Sequence, residues 1–150
     1  LTADCVPLLL HERKENIIGA IHAGWKGAKN NIIENTIMKV LELGGKIENI
    51  SIVIGPCIQQ KCYAVGNEFF ENFIIENKKN SKFFIKKDEK YYFDLPQYCI
   101  NKIKNTGIKE IDNIGKCTYE NGDEFYSYRR SVHRDEIDYG RQPNAITISK

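Results

Sequence analysis

The sequence predicts a mixed α/β domain in which β-sheet layers are flanked by helices. Short runs of aliphatic and β-branched residues indicate buried strands, and longer segments with apolar residues every three or four positions indicate helices. The two kinds of segment alternate along the chain, which is typical of α/β proteins. The length of 150 residues is enough for one hydrophobic core, so we expect residues 1–150 to form a single domain.

The first predicted element is a β-hairpin. Val6–Leu10 and Ile17–Ile21 are apolar runs, and the polar stretch HERKEN between them indicates a turn. Cys5 enters the first strand and His22 leaves the second. Since antiparallel strands place these two ends side by side, we expect the thiol and the imidazole to lie close together.

A paired thiol and imidazole suit two chemistries, which the residues alone leave open. Both groups are zinc ligands, and a thiolate beside an imidazolium is a reactive nucleophile. A simply buried cysteine and a structural histidine are the alternative. The sequence AGWKG favours function, because Gly24 and Gly27 flank Trp25 and Lys26 directly before a helix. Glycines let the backbone approach a ligand, and a helix start offers N–H groups to an anion.

The next two elements are a helix and a central strand. Ala28–Leu43 is predicted as one helix with a core stripe of Ile33, Ile37, Val40 and Leu41 that Gly44-Gly45 ends. Ile50–Ile54 is a β-branched run that delivers the turn Gly55-Pro56-Cys57. Such turns after buried strands commonly carry ligand contacts in α/β folds.

The second half of the chain continues the alternation. We expect a helix near Gly66–Asn77, a hairpin formed by Phe83–Ile85 and Tyr91–Phe93, and a helix that Asp94 caps and Gly107 closes. Cys57 and Cys99 are expected to be packed core residues. Further strands are predicted at Ile111–Ile114, Phe125–Tyr128 and Ala145–Ile148.

Arginines near the end of the chain are candidates for binding phosphate. Arg129 and Arg130 follow an aromatic strand, and Arg141 lies in a Gly-Arg-Gln sequence. The guanidinium group offers a bidentate fork that suits phosphate. Consecutive strand residues face opposite ways, so at most one of the first two would point at the site. His133 is expected to lie in a surface loop.

The composition excludes several classes of function. The net charge of +2 gives no electrostatic case for nucleic acid or a membrane surface, and no apolar run approaches the ~20 residues that span a bilayer. Five cysteines without a CxxC pair favour a reduced, cytoplasmic setting. The chain begins at Leu1 without a methionine, directly on a strand-like run, so we expect an upstream segment to be missing.

Taken together, five motifs resemble one family. TADC, HAGWKG, IGPCI followed by YAVG, CTY and FYSYRR occur in the order found in the purine nucleoside phosphorylases formerly described as multicopper polyphenol oxidoreductases, or laccase-domain proteins. The resemblance covers nearly the whole chain. It implies the laccase-domain fold, a sandwich shared with cysteine hydrolases.

The resemblance also implies an activity and a metal. Members cleave adenosine, inosine, guanosine and 5′-methylthioadenosine with phosphate and deaminate adenosine. Their zinc is held by His, Cys and His. Cys5 and His22 match two of these ligands, and the third histidine belongs to the family's upstream segment. Tyr63 matches a pocket-lining motif. Trp25 or Tyr63 would stack on the purine, with a core aromatic as the alternative role of Trp25. Asp4 would orient the histidine or move a proton, with a turn residue at the strand end as its alternative.

Two other functions are weighed against this one. In a metal-free hydrolase or amidase of the peptidoglycan-editing type, Cys5 would be the nucleophile and His22 its base. A copper polyphenol oxidase is the weaker alternative, because a multicopper site needs many histidines and the chain has three.

Overall fold

A computed structural model describes residues 1–149 and confirms the mixed α/β class, with two β-sheets and five α-helices in the described part. The larger sheet has the strand order β2-β1-β3-β7, and the smaller has the order β4-β6-β5. The strands are β1 (Val6–Glu12), β2 (Ile17–Ala23), β3 (Ile50–Ile54), β4 (Ala64–Val65), β5 (Phe84–Lys87), β6 (Lys90–Phe93) and β7 (Glu110–Asn113). The helices are α1 (Trp25–Lys29), α2 (Ile32–Glu42), α3 (Asn67–Glu76), α4 (Leu95–Asn105) and α5 (Tyr128–His133).

The predicted hairpin is confirmed and forms one side of the larger sheet, with β2 at its edge. β1 and β2 are antiparallel, with Val6 opposite Ala23 and Pro7 opposite His22. The buried side of β1 carries Val6, Leu8 and Leu10, all fully buried. β3 pairs antiparallel with the other edge of β1, and β7 pairs parallel with β3. The start of β1 and the end of β2 therefore meet at one end of a well-packed sheet.

The prediction of one helix over Ala28–Leu43 is wrong, because the chain breaks it into α1 and α2. Asn31 has a φ of 63°, in the left-handed region that asparagine tolerates better than most residues. Its side-chain oxygen accepts a hydrogen bond from the Lys102 ammonium at 2.6 Å. Leu41, placed in the core stripe, is 39% exposed, whereas Ile33, Ile37 and Val40 are buried as predicted.

An aromatic cluster joins α3 to the smaller sheet. Phe73 and Phe93 are fully buried, with ring centroids 4.8 Å apart. The predicted hairpin is confirmed as β5 and β6. The cap of α4 is also confirmed, since the Asp94 carboxylate accepts a hydrogen bond from the Gln97 N–H at 3.0 Å. Cys57 and Cys99 are buried core residues, as expected.

The last quarter of the chain departs from prediction. The strand predicted at Phe125–Tyr128 is wrong, because Ser127 caps α5 by accepting a hydrogen bond from the Arg130 N–H at 3.1 Å. The strand predicted at Ala145–Ile148 is also wrong, since that segment is irregular. His133 lies in α5 rather than in a loop, although its side chain is exposed as expected. None of the helices within residues 1–149 is long and apolar enough to cross a membrane.

Candidate active site

A cavity of about 280 Å³ opens where the start of β1, the start of α1 and α5 converge. It combines aromatic walls with a carboxylate, a thiol and a guanidinium. Its lining residues are Ala3, Asp4, Cys5, Trp25, Ile58, Tyr63, Leu95, Tyr128 and Arg129. Five of the residues that the sequence singled out, Asp4, Cys5, Trp25, Tyr63 and Arg129, therefore lie around one space.

Asp4 organises this cavity. Its backbone is in an unusual conformation, with a φ of 84°, and the residue is 8% exposed. One carboxylate oxygen accepts a hydrogen bond from the Thr118 hydroxyl and the other accepts one from the Arg129 N–H, both at 2.7 Å. Its own carbonyl accepts from the Ile58 N–H at 3.0 Å. Asp4 thus connects four segments of the chain, and each of its carboxylate oxygens accepts one hydrogen bond.

The Cys5 thiol lies beside Gly24, the residue that follows β2. A Cβ placed at Gly24 would be 2.9 Å from the Cys5 sulfur, so the sulfur occupies space that any other residue at position 24 would fill. Burial, with a smaller effect from the Asp4 carboxylate, raises the pKa of Cys5 above its ordinary value. The thiol is therefore neutral near pH 7 unless a cation stabilises the thiolate.

Two aromatic side chains, Trp25 and Tyr63, line the cavity. Trp25 begins α1 and packs against Phe69, with ring centroids 4.8 Å apart. Tyr63 packs against the same phenyl ring, and burial raises the pKa of its hydroxyl, which stays protonated. Lys26 is exposed outside the cavity, with its ammonium 5.4 Å from the Trp25 ring centre.

Arg129 joins this cavity to a second, more polar one. Its guanidinium donates to the Ala64 carbonyl at 2.8 Å and lies 5.3 Å from the Tyr63 ring centre. It also lines an adjoining pocket of about 420 Å³. The other residues of that pocket include the cationic or titratable side chains of Lys61, Lys90 and His133.

The remaining candidate arginines lie elsewhere. The Arg130 side chain makes hydrogen bonds within the protein. Its guanidinium donates to the carbonyls of Thr118, Tyr119 and Phe125 at 2.5–3.0 Å. The two arginines sit on a helix, so the strand argument for their opposite directions does not hold. Arg141 is exposed and contacts Tyr139.

Gly55 directly follows β3 and does not line the cavity. Its N–H donates to the Pro7 carbonyl at 2.9 Å, and a Cβ there would be 2.8 Å from the Pro7 ring. Its lack of a side chain lets the end of β3 pack closely on β1.

His22 faces a different pocket from Cys5. Its side chain is exposed and lines a shallow pocket of about 100 Å³ together with Pro7 and Asn144. The two pockets have no lining residue in common. The strand register brings the two backbones together, as the sequence predicts, while the side chains open to separate spaces. A thiol and an imidazole fit part of a zinc site, and a zinc ion needs at least one further donor.

A second group of metal-binding side chains was missed by the sequence analysis. The ligand atoms of Cys62, Cys117 and Glu120 all lie within 4.8 Å of one another, which makes this a possible metal site. Burial, and then the neighbouring Cys117, raises the pKa of Cys62. No spacing rule links Cys62 to a cysteine far along the chain, because the parallel bridge between Cys57 and Cys117 creates the juxtaposition.

Comparison with known proteins identifies the family. The profile described as multi-copper polyphenol oxidoreductase laccase matches residues 1–149. The chain belongs to this laccase family. Curated relatives include the purine nucleoside phosphorylase of Rickettsia conorii, which is 46% identical over 137 residues, 90% of this chain and 56% of the relative. The Escherichia coli purine nucleoside phosphorylase YfiH is 35% identical over 130 residues, 87% of this chain and 52% of that protein.

Solved structures agree with the laccase-family fold. The YfiH protein of Bacillus licheniformis superposes with a TM-score of 0.79 at 28% identity, covering 87% of this chain and 51% of that one. The NMB0706 protein of Neisseria meningitidis superposes with a TM-score of 0.77 at 28% identity, covering 86% of this chain and 52% of that one. This chain therefore spans about half the length of the relatives it matches.

Proposed function

We propose that this chain supplies the nucleoside- and phosphate-binding part of a zinc-dependent purine nucleoside phosphorylase. The observation that supports this most is the position of Arg129, which lines both the aromatic cavity and the cationic pocket beside it. A purine would stack on Trp25 or Tyr63, and phosphate would bind on the other side of Arg129. The similarity to purine nucleoside phosphorylases of Rickettsia conorii and Escherichia coli points to the same activity.

The proposed reaction needs no covalent bond between the protein and the substrate. A phosphate oxygen attacks C1′ of the ribose, the bond from C1′ to the purine nitrogen breaks, and its electron pair leaves with the base. The products from adenosine, inosine and guanosine are ribose 1-phosphate and a free purine that takes up a proton, and 5′-methylthioadenosine gives the 5-methylthio derivative of that sugar phosphate. Positioning by Arg129 and shielding by the aromatic walls are the main contributions expected from these residues. Adenosine, inosine, guanosine and 5′-methylthioadenosine are the proposed substrates.

Within this proposal, Cys5 and His22 would be two of the zinc ligands. A zinc ion held there would lower the pKa of a water molecule, which is the chemistry that deamination of adenosine would need. Asp4 contributes by fixing the backbone that carries Cys5 and by holding Arg129. We place this chemistry in the cytoplasm, where the five free thiols would stay reduced.

The metal-free alternative has weaker support. A cysteine hydrolase needs a thiolate at neutral pH without the help of a metal, yet burial and Asp4 raise the pKa of Cys5. Metal analysis of the whole protein separates the two, since the loss of one equivalent of bound zinc on Cys5→Ala supports the phosphorylase.

Phosphate-dependent release of hypoxanthine from inosine, measured in the whole zinc-loaded protein, tests the proposal. We expect release to rise with phosphate and to yield ribose 1-phosphate. Arg129→Ala should raise the KM for phosphate by roughly tenfold to hundredfold, because a charge-assisted contact is lost. The matched control is Arg134→Ala, an exposed arginine that pairs with Glu136. Release that is independent of phosphate would contradict the proposal.

A further inference from the structure

The cluster of Cys62, Cys117 and Glu120 has the donor set of a zinc site. Two sulfurs and a carboxylate oxygen lie within 4.8 Å of one another, on two segments that are far apart in the chain. Around a tetrahedral zinc ion, with zinc–sulfur distances of about 2.3 Å, neighbouring sulfurs are about 3.8 Å apart. A side-chain movement of about 1 Å would therefore bring the three donors to bonding distance.

Two neighbouring groups of the cluster suit a bound metal ion. The Gln59 N–H donates to the Cys117 sulfur at 3.5 Å, which is the kind of backbone contact that orients a metal-bound sulfur. The Lys61 ammonium lies 2.9 Å from Glu120. Two thiolates, one carboxylate, one ammonium and a divalent ion sum to zero charge, so Lys61 balances the complex. Its ion pair with Glu120 is exposed and weak enough to rearrange.

We propose that Cys62, Cys117 and Glu120 bind one zinc ion, separate from the site of Cys5 and His22. Binding displaces the two thiol protons and leaves a fourth position to water. The ion would join residues 57–62 to residues 117–120. Thr118 follows Cys117 directly and donates to Asp4, so the ion would fasten the segment that holds the Asp4 carboxylate. This inference does not depend on the proposed phosphorylase activity.

Cobalt binding tests the proposal with a spectroscopic readout. The chain is prepared as Cys5→Ala, so that the other site has no thiolate, and is titrated with Co²⁺ under a reductant. We expect one equivalent to give visible bands of a tetrahedral ion and a near-ultraviolet band of thiolate-to-cobalt charge transfer. Zn²⁺ should then displace the cobalt and abolish both bands.

Variants assign the ligands. Cys62→Ala or Cys117→Ala in the same background should weaken Co²⁺ binding more than about 100-fold, because a direct ligand matters more than an outer-shell contact. Cys99→Ala, a buried cysteine outside the cluster, is the control for removing a thiol. Far-ultraviolet circular dichroism verifies folding.

The exposed Glu120 provides a variant that does not disturb the core. Glu120→Gln should keep the charge-transfer band but weaken binding at least about tenfold. The matched control is Glu124→Gln, an exposed carboxylate paired with Lys116, which should leave binding unchanged. The proposal is overturned if the Cys5→Ala chain shows no charge-transfer band, or if the band survives Cys117→Ala.

Discussion

The Asp4 carboxylate is the polar group on which most of the cavity depends. It is buried, carries a positive φ, and receives hydrogen bonds from Thr118 and Arg129. A buried donor left without its acceptor costs about 1–3 kcal/mol. The role of Asp4 is therefore to position Arg129 and the start of β1, with its charge already satisfied by these bonds.

Replacing Asp4 tests this positioning role. Asp4→Ala should lower the free energy of unfolding by about 2–4 kcal/mol, because it leaves two donors unpaired and places a Cβ-bearing residue without a polar side chain at positive φ. Asp4→Asn should cost about 1 kcal/mol, since the amide can still accept from Arg129 and donate to Thr118. Urea denaturation provides the measurement.

Asp88→Ala is the matched control for Asp4. Asp88 also has a positive φ, of 53°, but lies exposed at the tip of the β5–β6 hairpin. It should show the backbone effect without the loss of buried bonds. Equal destabilisation by Asp4→Ala and Asp88→Ala would mean that the two hydrogen bonds to Asp4 contribute nothing to stability.

The two adjacent arginines show where residue-level prediction stops. Nothing in the sequence distinguishes Arg129 from Arg130. In the structure, however, Arg129 lines the cavity, whereas the Arg130 guanidinium donates hydrogen bonds to three backbone carbonyls. The difference arises from Ser127, which caps a helix and turns the two side chains to different neighbours. A helix of six residues is too short to leave a clear periodic pattern in the sequence.

At the scale of elements, local patterns predicted the regular parts well. The β1–β2 hairpin, β3 and the capped helix α4 follow from apolar runs and from a capping aspartate, which are local signals. The break between α1 and α2 could not be predicted in this way. It depends on one left-handed asparagine held by a lysine from α4, which is a tertiary contact. The same limitation hid the Cys62–Cys117 cluster.

The break in the helix gives a test at position 31. Asn31→Ala should lower the free energy of unfolding by about 1–2 kcal/mol, because alanine is strained at a φ of 63°. Asn31→Gly should cost less than about 0.5 kcal/mol, since it loses only an exposed hydrogen bond while glycine accepts the left-handed backbone. Thermal or urea denaturation compares the two. If the glycine variant is the less stable one, the backbone explanation is wrong.

Across the whole molecule, buried thiols and phenols make stability sensitive to alkali. Burial, and then the nearby Cys117, raises the pKa of Cys57 from its ordinary 9.0 to about 12. Burial likewise raises the pKa values of Cys99, Tyr63 and Tyr98. Above pH 9 the unfolded chain therefore loses protons that the folded chain keeps, which favours unfolding.

The free energy of unfolding should consequently be independent of these groups below pH 9 and should fall between pH 9 and about 12. Urea denaturation at a series of pH values, under reductant, measures the slope. Cys57→Ala should make the alkaline decline shallower, whatever its effect on stability at neutral pH. If the free energy of unfolding stays constant from pH 9 to 12, the buried thiols do not make stability sensitive to alkali.

The position of Trp25 has a practical consequence. It is the single tryptophan of the chain, and it forms a wall of the cavity beside Phe69. The indole emission of the protein therefore arises from one known place, next to where a purine would stack. Titration with a nucleoside, followed by intrinsic fluorescence, reports occupancy of that cavity directly and without an attached dye.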